Sequence, residues 1–421
     1  MPDVPPAYKN RKWLALSDCA LASSNGTATA STSFTVMSYN ILCQKLIKRN
    51  LFKYASKNSL RWKSRKRLII NELSYFDADI MCLQEVGTED WNLEYRHHLK
   101  VTGYQSRFLQ SIRKSHGVVI AWKPELFYAI EEASVNMDRS MEVCGERLNT
   151  DNVALLMVLG LGKAPAAGSD GKQAPGIIVS STHLFWKPAA CYERLQQQVA
   201  LLRAIRELQE KYPGYPVISC GDYNTTPDDA GYFLLTQPRP VALNEWQLDN
   251  LLPQHADDAK DKTDTEGDDK STASSALSYA SMAAAGTAAE PEDVALKRRK
   301  LEEEEKLAEE LLQHDTELAQ NLVQCIQADY QPMRSCYSTY TDLDPTYHTD
   351  QWKGEPIYTN YTAWKGTLDY IFYTPDRGLV AREIMSLPKK TEMDPGLPNE
   401  TFGSDHLSIL ARFDFSMIGS L

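Results

Sequence analysis

Val217-Ile218-Ser219-Cys220-Gly221-Asp222-Tyr223-Asn224 sets a buried strand directly against a glycine, an acid and an amide. Gly221 lets the backbone turn closely, Asp222 can orient or deprotonate a water, and Asn224 can donate to a phosphate oxygen. In an extended chain residues 222 and 224 point to the same side. Gly, Asp and Asn also favour ordinary turns, so the weight of the reading comes from repetition. Thr35-Val36-Met37-Ser38-Tyr39 runs into Asn40, Ile80-Met81-Cys82-Leu83-Gln84 into Glu85, and Ile177-Ile178-Val179-Ser180-Ser181-Thr182 into His183. Asp369 opens on Tyr370-Ile371-Phe372, and His406 closes Gly403-Ser404-Asp405. Strand ends are where a rigid scaffold holds acids, amides and imidazoles at one rim of a sheet.

Around these runs the chain alternates strands with a few helices. Trp62 to Phe76 carries apolar residues at helical spacing, and Leu195, Val199, Leu202, Ile205 and Leu208 form one stripe over Tyr192 to Lys211. Strands dominate, which predicts two packed sheets flanked by helices. Residues 1–32 read as a disordered tail, and 33–254 with 327–418 as one catalytic domain. Between them, 255–291 is acidic, then Ser/Ala-rich, with almost no large apolar residue, which predicts disorder. Residues 292–326 follow as a charged helix, with Leu307, Leu311, Leu318, Leu322 and Ile326 on one side. Lys297-Arg298-Arg299-Lys300 reads as its solvated end rather than an import signal.

The 421 residues carry a net charge of −11, but residues 255–320 alone hold 18 Asp/Glu against 8 Lys/Arg. Residues 44–67 are the opposite, with ten Lys/Arg and no acid. That stretch begins just after Asn40, where it can draw in a polyanion or simply be a solvated face. No apolar run is long enough for a membrane span, and residues 1–32 lack a secretory core. Eight scattered cysteines without a CxxC pair predict free thiols in a reducing compartment, cytoplasmic or nuclear.

The residue types suit phosphodiester cleavage by in-line attack of water. That chemistry needs a hard cation, a group that activates water, and donors aimed at the phosphate. Glu85 fits the cation, since Mg²⁺ prefers oxygen ligands and needs only one or two carboxylates. Asp222 fits the water, and Asn224 and His183 the phosphate. His406 needs a partner to fix its tautomer and stabilise its charged form, and Asp369 is suitable. Trp364, on a polar approach to Asp369, can stack on a base.

The motifs Ser-Tyr-Asn40-Ile-Leu, Cys-Leu-Gln84-Glu85-Val, Ser-Thr-His183-Leu-Phe-Trp, Gly-Asp222-Tyr-Asn224, Leu-Asp369-Tyr-Ile and Ser-Asp405-His406 resemble, in order, those of the endonuclease/exonuclease/phosphatase superfamily. Lys114-Ser115-His116-Gly117-Val118, Trp186-Lys187-Pro188 and Tyr192-Glu193-Arg194 are similar to its deadenylase, nocturnin and Angel branch, most of all to fungal Ngl-type RNA exonucleases. The resemblance implies a DNase-I-like four-layer α/β-sandwich with two central, mainly antiparallel sheets. It implies Mg²⁺-dependent (or Mn²⁺-dependent) cleavage of single-stranded RNA from its 3′ end, releasing nucleoside 5′-monophosphates. Glu85 would bind the metal with Asn40 and Asp405 near it, and Asp222 would align the water. Asn224 and His183 would contact the phosphate, and His406, held by Asp369, would serve as acid/base or transition-state stabiliser. Asn224, Pro188 and Trp364 would touch the terminal base, although those deadenylases tend to have Phe where this chain has Trp364. The resemblance leaves two alternatives: a phosphatase or phosphodiesterase of the same fold acting on a dinucleotide cofactor or a phospholipid, and a non-catalytic RNA-binding protein. The insertion at 255–326 matches nothing in the pattern and is expected to recruit a protein partner or stay passive.

Overall fold

The computed structural model describes residues 5–17, 31–139, 148–164, 175–253, 292–330, 332–352, 354–375 and 377–416. Its strands are β1 (Trp13–Ala15), β2 (Ser31–Asn40), β3 (Ile80–Gly87), β4 (Gln105–Gln110), β5 (His116–Trp122), β6 (Phe127–Asn136), β7 (Val153–Leu161), β8 (Gly176–His183), β9 (Val217–Asp222), β10 (Arg334–Ser335), β11 (Asn360–Tyr361), β12 (Lys365–Gly366), β13 (Asp369–Tyr373), β14 (Leu379–Met385) and β15 (Ile409–Ser416). The helices that frame them are α1 (Pro6–Asn10), α2 (Trp62–Phe76), α3 (Cys191–Lys211), α4 (Ala230–Thr236) and α5 (Glu292–Asp329).

Seven strands form one sheet in the order β1-β14-β15-β2-β3-β5-β4, and six form a second in the order β10-β13-β9-β8-β7-β6. Each sheet holds one parallel pair, β2 with β3 and β8 with β9, and is otherwise antiparallel. The central strands β3, β5, β7, β8, β9 and β13 are buried on both faces, which is why they read as unbroken apolar runs. Val36, Ile80, Cys82 and Ile120 of the first sheet meet Met157, Val179, Cys220 and Ile371 of the second in the central core. On the outer face of the first sheet Met37, Met81 and Val119 pack under Ile69 and Leu73 of α2. Leu156, Val158 and Ile178, on the outer face of the second, pack under the apolar stripe of α3. Helix, sheet, sheet and helix make the four-layer α/β-sandwich. Gln84 ties the two sheets directly, its Nε2 donating to Ser181 Oγ at 3.2 Å.

Two expectations need correction. Residues 5–17 are not a loose tail: β1 extends the first sheet beyond β14, and Tyr8 is fully buried among Tyr75, Phe76 and Phe402. Arg11, also buried, donates to Ser386 O, Ser408 Oγ and Ser408 O at 2.7, 2.8 and 2.7 Å. A five-residue helix and a three-residue strand carry too little periodicity to read, and the segment owes its order to these tertiary contacts. Tyr8→Ala is therefore expected to lower the unfolding free energy by about 3–5 kcal/mol in a urea titration; a change below about 0.5 kcal/mol, as at an ordinary surface site, would mean that the segment leaves the domain in solution.

The second correction concerns only the extent of the charged helix, which the sequence leaves open to packing on the domain. It runs to Asp329, past its expected end, and Ala319, Leu322 and Ile326 are buried with the α3 stripe, so its last turns belong to the domain core. Leu307 and Leu311 lie earlier and are exposed. The acidic stretch at 255–291 falls outside the described residues.

Candidate active site

The sheet register gathers the chemistry at one rim. In the second sheet His183 pairs with Asp222 and Asp222 with Asp369, so three neighbouring strands each bring one ionisable side chain to the same level. In the first sheet Asn40 ends β2 opposite Gln84. Glu85 is not a strand end as expected. It sits within β3 at a bulge, where pairing with β5 slips between Leu83 and Val86 and its own φ is 54°. A bulge re-aims a side chain, and here Glu85 turns to the rim.

Asn40 links the two sheets' acids. Its Nδ2 donates to Asp222 Oδ2 at 2.9 Å and to Glu85 Oε1 at 3.3 Å, while its Oδ1 accepts the Leu42 N–H at 3.0 Å. As placed, Asn40 presents a donor to the site and bridges carboxylates rather than offering its oxygen to a cation. Glu85 Oε2 accepts the Cys43 N–H at 2.9 Å. Opposite, His406 Nδ1 and Asp369 Oδ2 lie 2.8 Å apart, and Thr359 Oγ1 donates to the same oxygen at 2.6 Å. The other face of the imidazole, Nε2, is 3.6 Å from Asp222 Oδ2. His183 Nε2 is also 3.6 Å from that oxygen, and its Nδ1 is 4.0 Å from Glu85 Oε1.

These environments split the two imidazoles. Burial alone would depress His406, but Asp369 and Asp222 hold it well above the usual histidine range, so it is cationic at neutral pH. Burial and the neighbouring His116, Lys114 and His406 push His183 well below that range, so it is neutral. Asp222 is pushed up to about 7 by burial, against the lowering influence of His406. Burial likewise raises Asp405, whose carboxylate shares charge with Arg65 and His406.

Asn224 departs from the expected alternation. β9 ends at Asp222, and Asn224 adopts a left-handed φ of 48°. Its backbone N–H donates to Asp222 Oδ1 at 3.0 Å and its Nδ2 to Leu184 O at 2.9 Å, which leaves one amide hydrogen of the pair for a ligand. Trp364 is half exposed at the tip of the β11–β12 hairpin, its ring against Gly366. That hairpin is strapped to the catalytic segment by Tyr361 N to Asp405 O at 2.9 Å and Leu407 N to Thr359 O at 2.8 Å. Pro188 lies exposed in the loop after β8, its carbonyl accepting from Arg194 Nη2 at 3.0 Å. Neither Trp364 nor Pro188 is hydrogen-bonded to the acid–imidazole cluster.

Three supporting residues are not legible in the sequence. Thr359 fixes Asp369, Asn152 Nδ2 holds the His183 carbonyl at 2.5 Å, and Arg65 is fully buried. Arg65 donates to Ile41 O, Leu42 O and Gly403 O at 2.8, 2.5 and 2.6 Å, tying the exit from Asn40 to the approach to Asp405. In the sequence it is one charge of a basic run, and nothing in the run marks it as structural.

Asp222, Asp369 and His406 each present a ligand atom, all within 4.8 Å of one another, a group that can bind a metal ion. The donors fit a hard cation: Asp222 and Asp369 offer oxygens within that group, Glu85 is joined to Asp222 through Asn40, and Oδ1 of Asp369 is buried without a hydrogen-bond partner.

A model of the Endonuclease/Exonuclease/phosphatase family matches residues 37–406. RNA exonuclease NGL2 of Saccharomyces cerevisiae is 26% identical over 99% of this chain and 84% of its own length. The Ccr4 3′-5′-exoribonuclease subunit of the CCR4-Not complex of Aspergillus oryzae is 25% identical over 98% of this chain and 50% of its own. Among solved structures, that of ANGEL2, a 2′,3′-cyclic phosphatase, aligns with a TM-score of 0.61 at 23% identity, covering 96% of this chain and 97% of that one.

Proposed function

This chain belongs to the endonuclease/exonuclease/phosphatase family and is a metal-dependent hydrolase of phosphate esters, and we propose that it removes nucleotides from the 3′ end of single-stranded RNA, releasing nucleoside 5′-monophosphates. Its RNA is a poly(A) tail or the 3′ end of a transcript being trimmed. The observation that carries the reading is the rim where Glu85 and Asn40 face Asp222 and the His406–Asp369 pair, in a chain that aligns almost end to end with an RNA exonuclease. The cation would be Mg²⁺, with Mn²⁺ able to replace it, and Glu85 would hold it, with Asn40 and Asp405 close by. When bound it supplies positive charge to the phosphoryl and leaving oxygens.

The chain's own groups do the rest. Asp222, poised near neutrality at the centre of the rim, accepts the proton of the attacking water, and Asn40 fixes the orientation of its carboxylate. The cationic imidazole of His406 lies where charge grows on the phosphoryl group, and Asp369 keeps it charged and aligned. Neutral His183 and the free amide hydrogen of Asn224 donate to the non-bridging oxygens. Trp364 and Pro188 border the site as contacts for the terminal base. Six described cysteines form no disulfide, which supports a place in the cytosol or nucleus. A protein partner for the segment 255–326 is part of the same proposal, and the exposed Leu307 and Leu311 support it. No described helix is long and apolar enough to cross a membrane.

The test is product identity. Purified protein with Mg²⁺ and 5′-labelled oligoadenylate is expected to give a ladder that shortens by single nucleotides, with AMP as the released product. EDTA should remove at least about 99% of this activity, the scale of several kcal/mol of lost charge stabilisation, and excess Mg²⁺ should restore it. The panel includes RNA ending in a 2′,3′-cyclic phosphate, NADPH and a phosphoinositide. Turnover of one of these without shortening of RNA would sink the exonuclease reading and select the corresponding phosphatase.

A further inference from the structure

The basic stretch after Asn40 sorts into two kinds of cation. Arg65 is buried and structural, Arg49 Nη1 is bonded to Ala55 O at 2.6 Å, Lys66 Nζ is 2.6 Å from Glu94, and Lys45 Nζ is 3.6 Å from Glu89. Arg67 is exposed further along α2. Lys48, Lys53, Lys57, Arg61 and Lys63 are exposed, and none pairs with an acid among the described residues. They are carried on an ordered cap rather than a floppy loop. Leu42, Phe52, Ala55 and Leu60 form a small core of their own, and Gln44 Nε2 closes the cap onto Leu60 O at 3.1 Å.

The cap is fastened to both sides of the catalytic rim. On one side Cys43 N donates to Glu85, and on the other Tyr54 OH donates to Leu397 O and Ser59 Oγ to Glu400 Oε1 at 3.0 Å, just ahead of Ser404-Asp405-His406. Arg65 joins the two from beneath through Leu42 O and Gly403 O. Five unneutralised cations therefore stand beside a rim crowded with carboxylates, held there by hydrogen bonds and a local core.

We propose that Lys48, Lys53, Lys57, Arg61 and Lys63 form a track for the phosphate backbone of single-stranded RNA upstream of the nucleotide being removed. The inference rests on the RNA reading above and adds to it a site of substrate affinity separate from the chemistry. Flexible lysines and one arginine offer charge without base recognition, so the track binds any sequence and holds long substrates better than short ones. The carboxylates at the rim repel RNA, and the cap offsets that repulsion on the side where the chain enters. Exposed Leu46 and Leu51 make an anionic lipid surface the competing occupant; the cap's attachment at Glu85 favours RNA.

The experiment measures binding of the full chain to a labelled 20-nucleotide RNA in EDTA, so that nothing is cut, across a series of salt concentrations. Lys53→Gln/Lys57→Gln/Lys63→Gln is expected to weaken binding about tenfold at low salt and to flatten the slope of log K against log salt by about 2, near 0.7 for each phosphate no longer neutralised. Lys53→Arg/Lys57→Arg/Lys63→Arg should keep the slope. Arg206→Gln/Lys211→Gln, on the far end of α3, should leave it unchanged. Turnover of a dinucleotide in Mg²⁺ should be the same in all three. An unaltered slope in the Gln variant, or wild-type protein that binds vesicles of 30% phosphatidylserine but not RNA, would overturn the track. If the slope falls as expected while the oligoadenylate ladder is absent, the exonuclease reading fails and the track stands.

Discussion

Glu85→Gln is expected to reduce Mg²⁺-dependent cleavage by a factor on the order of a thousand or more, with the fold intact. Several kcal/mol of transition-state charge stabilisation translate into that factor. Glu85 is the carboxylate that the first sheet contributes directly to the rim, and it owes its position to the bulge between Leu83 and Val86. Glutamine keeps its size and can still accept the Cys43 N–H, so the backbone has no reason to move. It removes the negative charge that attracts a cation. Measured under a Mg²⁺ titration, the variant should show both a lower maximal rate and a weaker metal requirement curve, with an unchanged melting temperature. Activity within tenfold of wild type at ordinary Mg²⁺ would mean that the cation is held elsewhere, with Asp222, Asp369 and His406 as the next candidates.

His406→Gln should lower the rate by about 10²–10⁴-fold, the range of general acid–base contributions. Asp369→Asn should approach the same loss, because an amide can neither fix the imidazole's tautomer nor sustain its charge. The two residues act as one unit through a 2.8 Å contact, so the double variant should be little worse than the worse single one. A pH profile separates this from simple damage. In the folded protein His406 titrates well above its ordinary range, so its charge is present at neutral pH and is lost as pH rises through that raised value. Asp369→Asn removes the chief source of the shift, and the alkaline limb of the profile should move to lower pH. The stability that the pair contributes follows the same sign: full below the ordinary histidine range and lost through the raised one. Fully additive losses, or an alkaline limb that stays in place, would remove His406 from a charged role.

What can be read in advance is what strands and long helices encode locally. The unbroken run from Val217 to Gly221 and the stripe from Leu195 to Leu208 announce their elements because both faces, or one full face, are buried. The polar residues that punctuate those runs are the same ones the register brings together. The sequence is silent where a tertiary contact overrides local pattern. Residues 5–17 have no periodicity and are ordered by Tyr8, Arg11 and the pairing of β1 with β14. Nothing marks the bulge at Glu85, which depends on the pairing with β5, whereas the left-handed turn at Asn224 is one that asparagine readily takes and that a reading by alternation passes over. Arg65 and Lys63 are two residues apart and chemically alike, yet one is buried under four hydrogen-bond acceptors and the other free, a difference set by which face of α2 meets the rim.

β15 lies between β14 and β2, so a strand at residues 409–416 is paired along its whole length with one at 31–40. His406 stands three residues before it, and Asn40 closes its antiparallel partner at the same end of the ladder. Synthesis from the amino end therefore makes Asn40, Glu85, His183 and Asp222 well before His406. Only when residues 409–416 have been made and have slotted into the first sheet do the imidazole and the first acids share one rim. The rim is thereby completed by the last strand of the first sheet to be made.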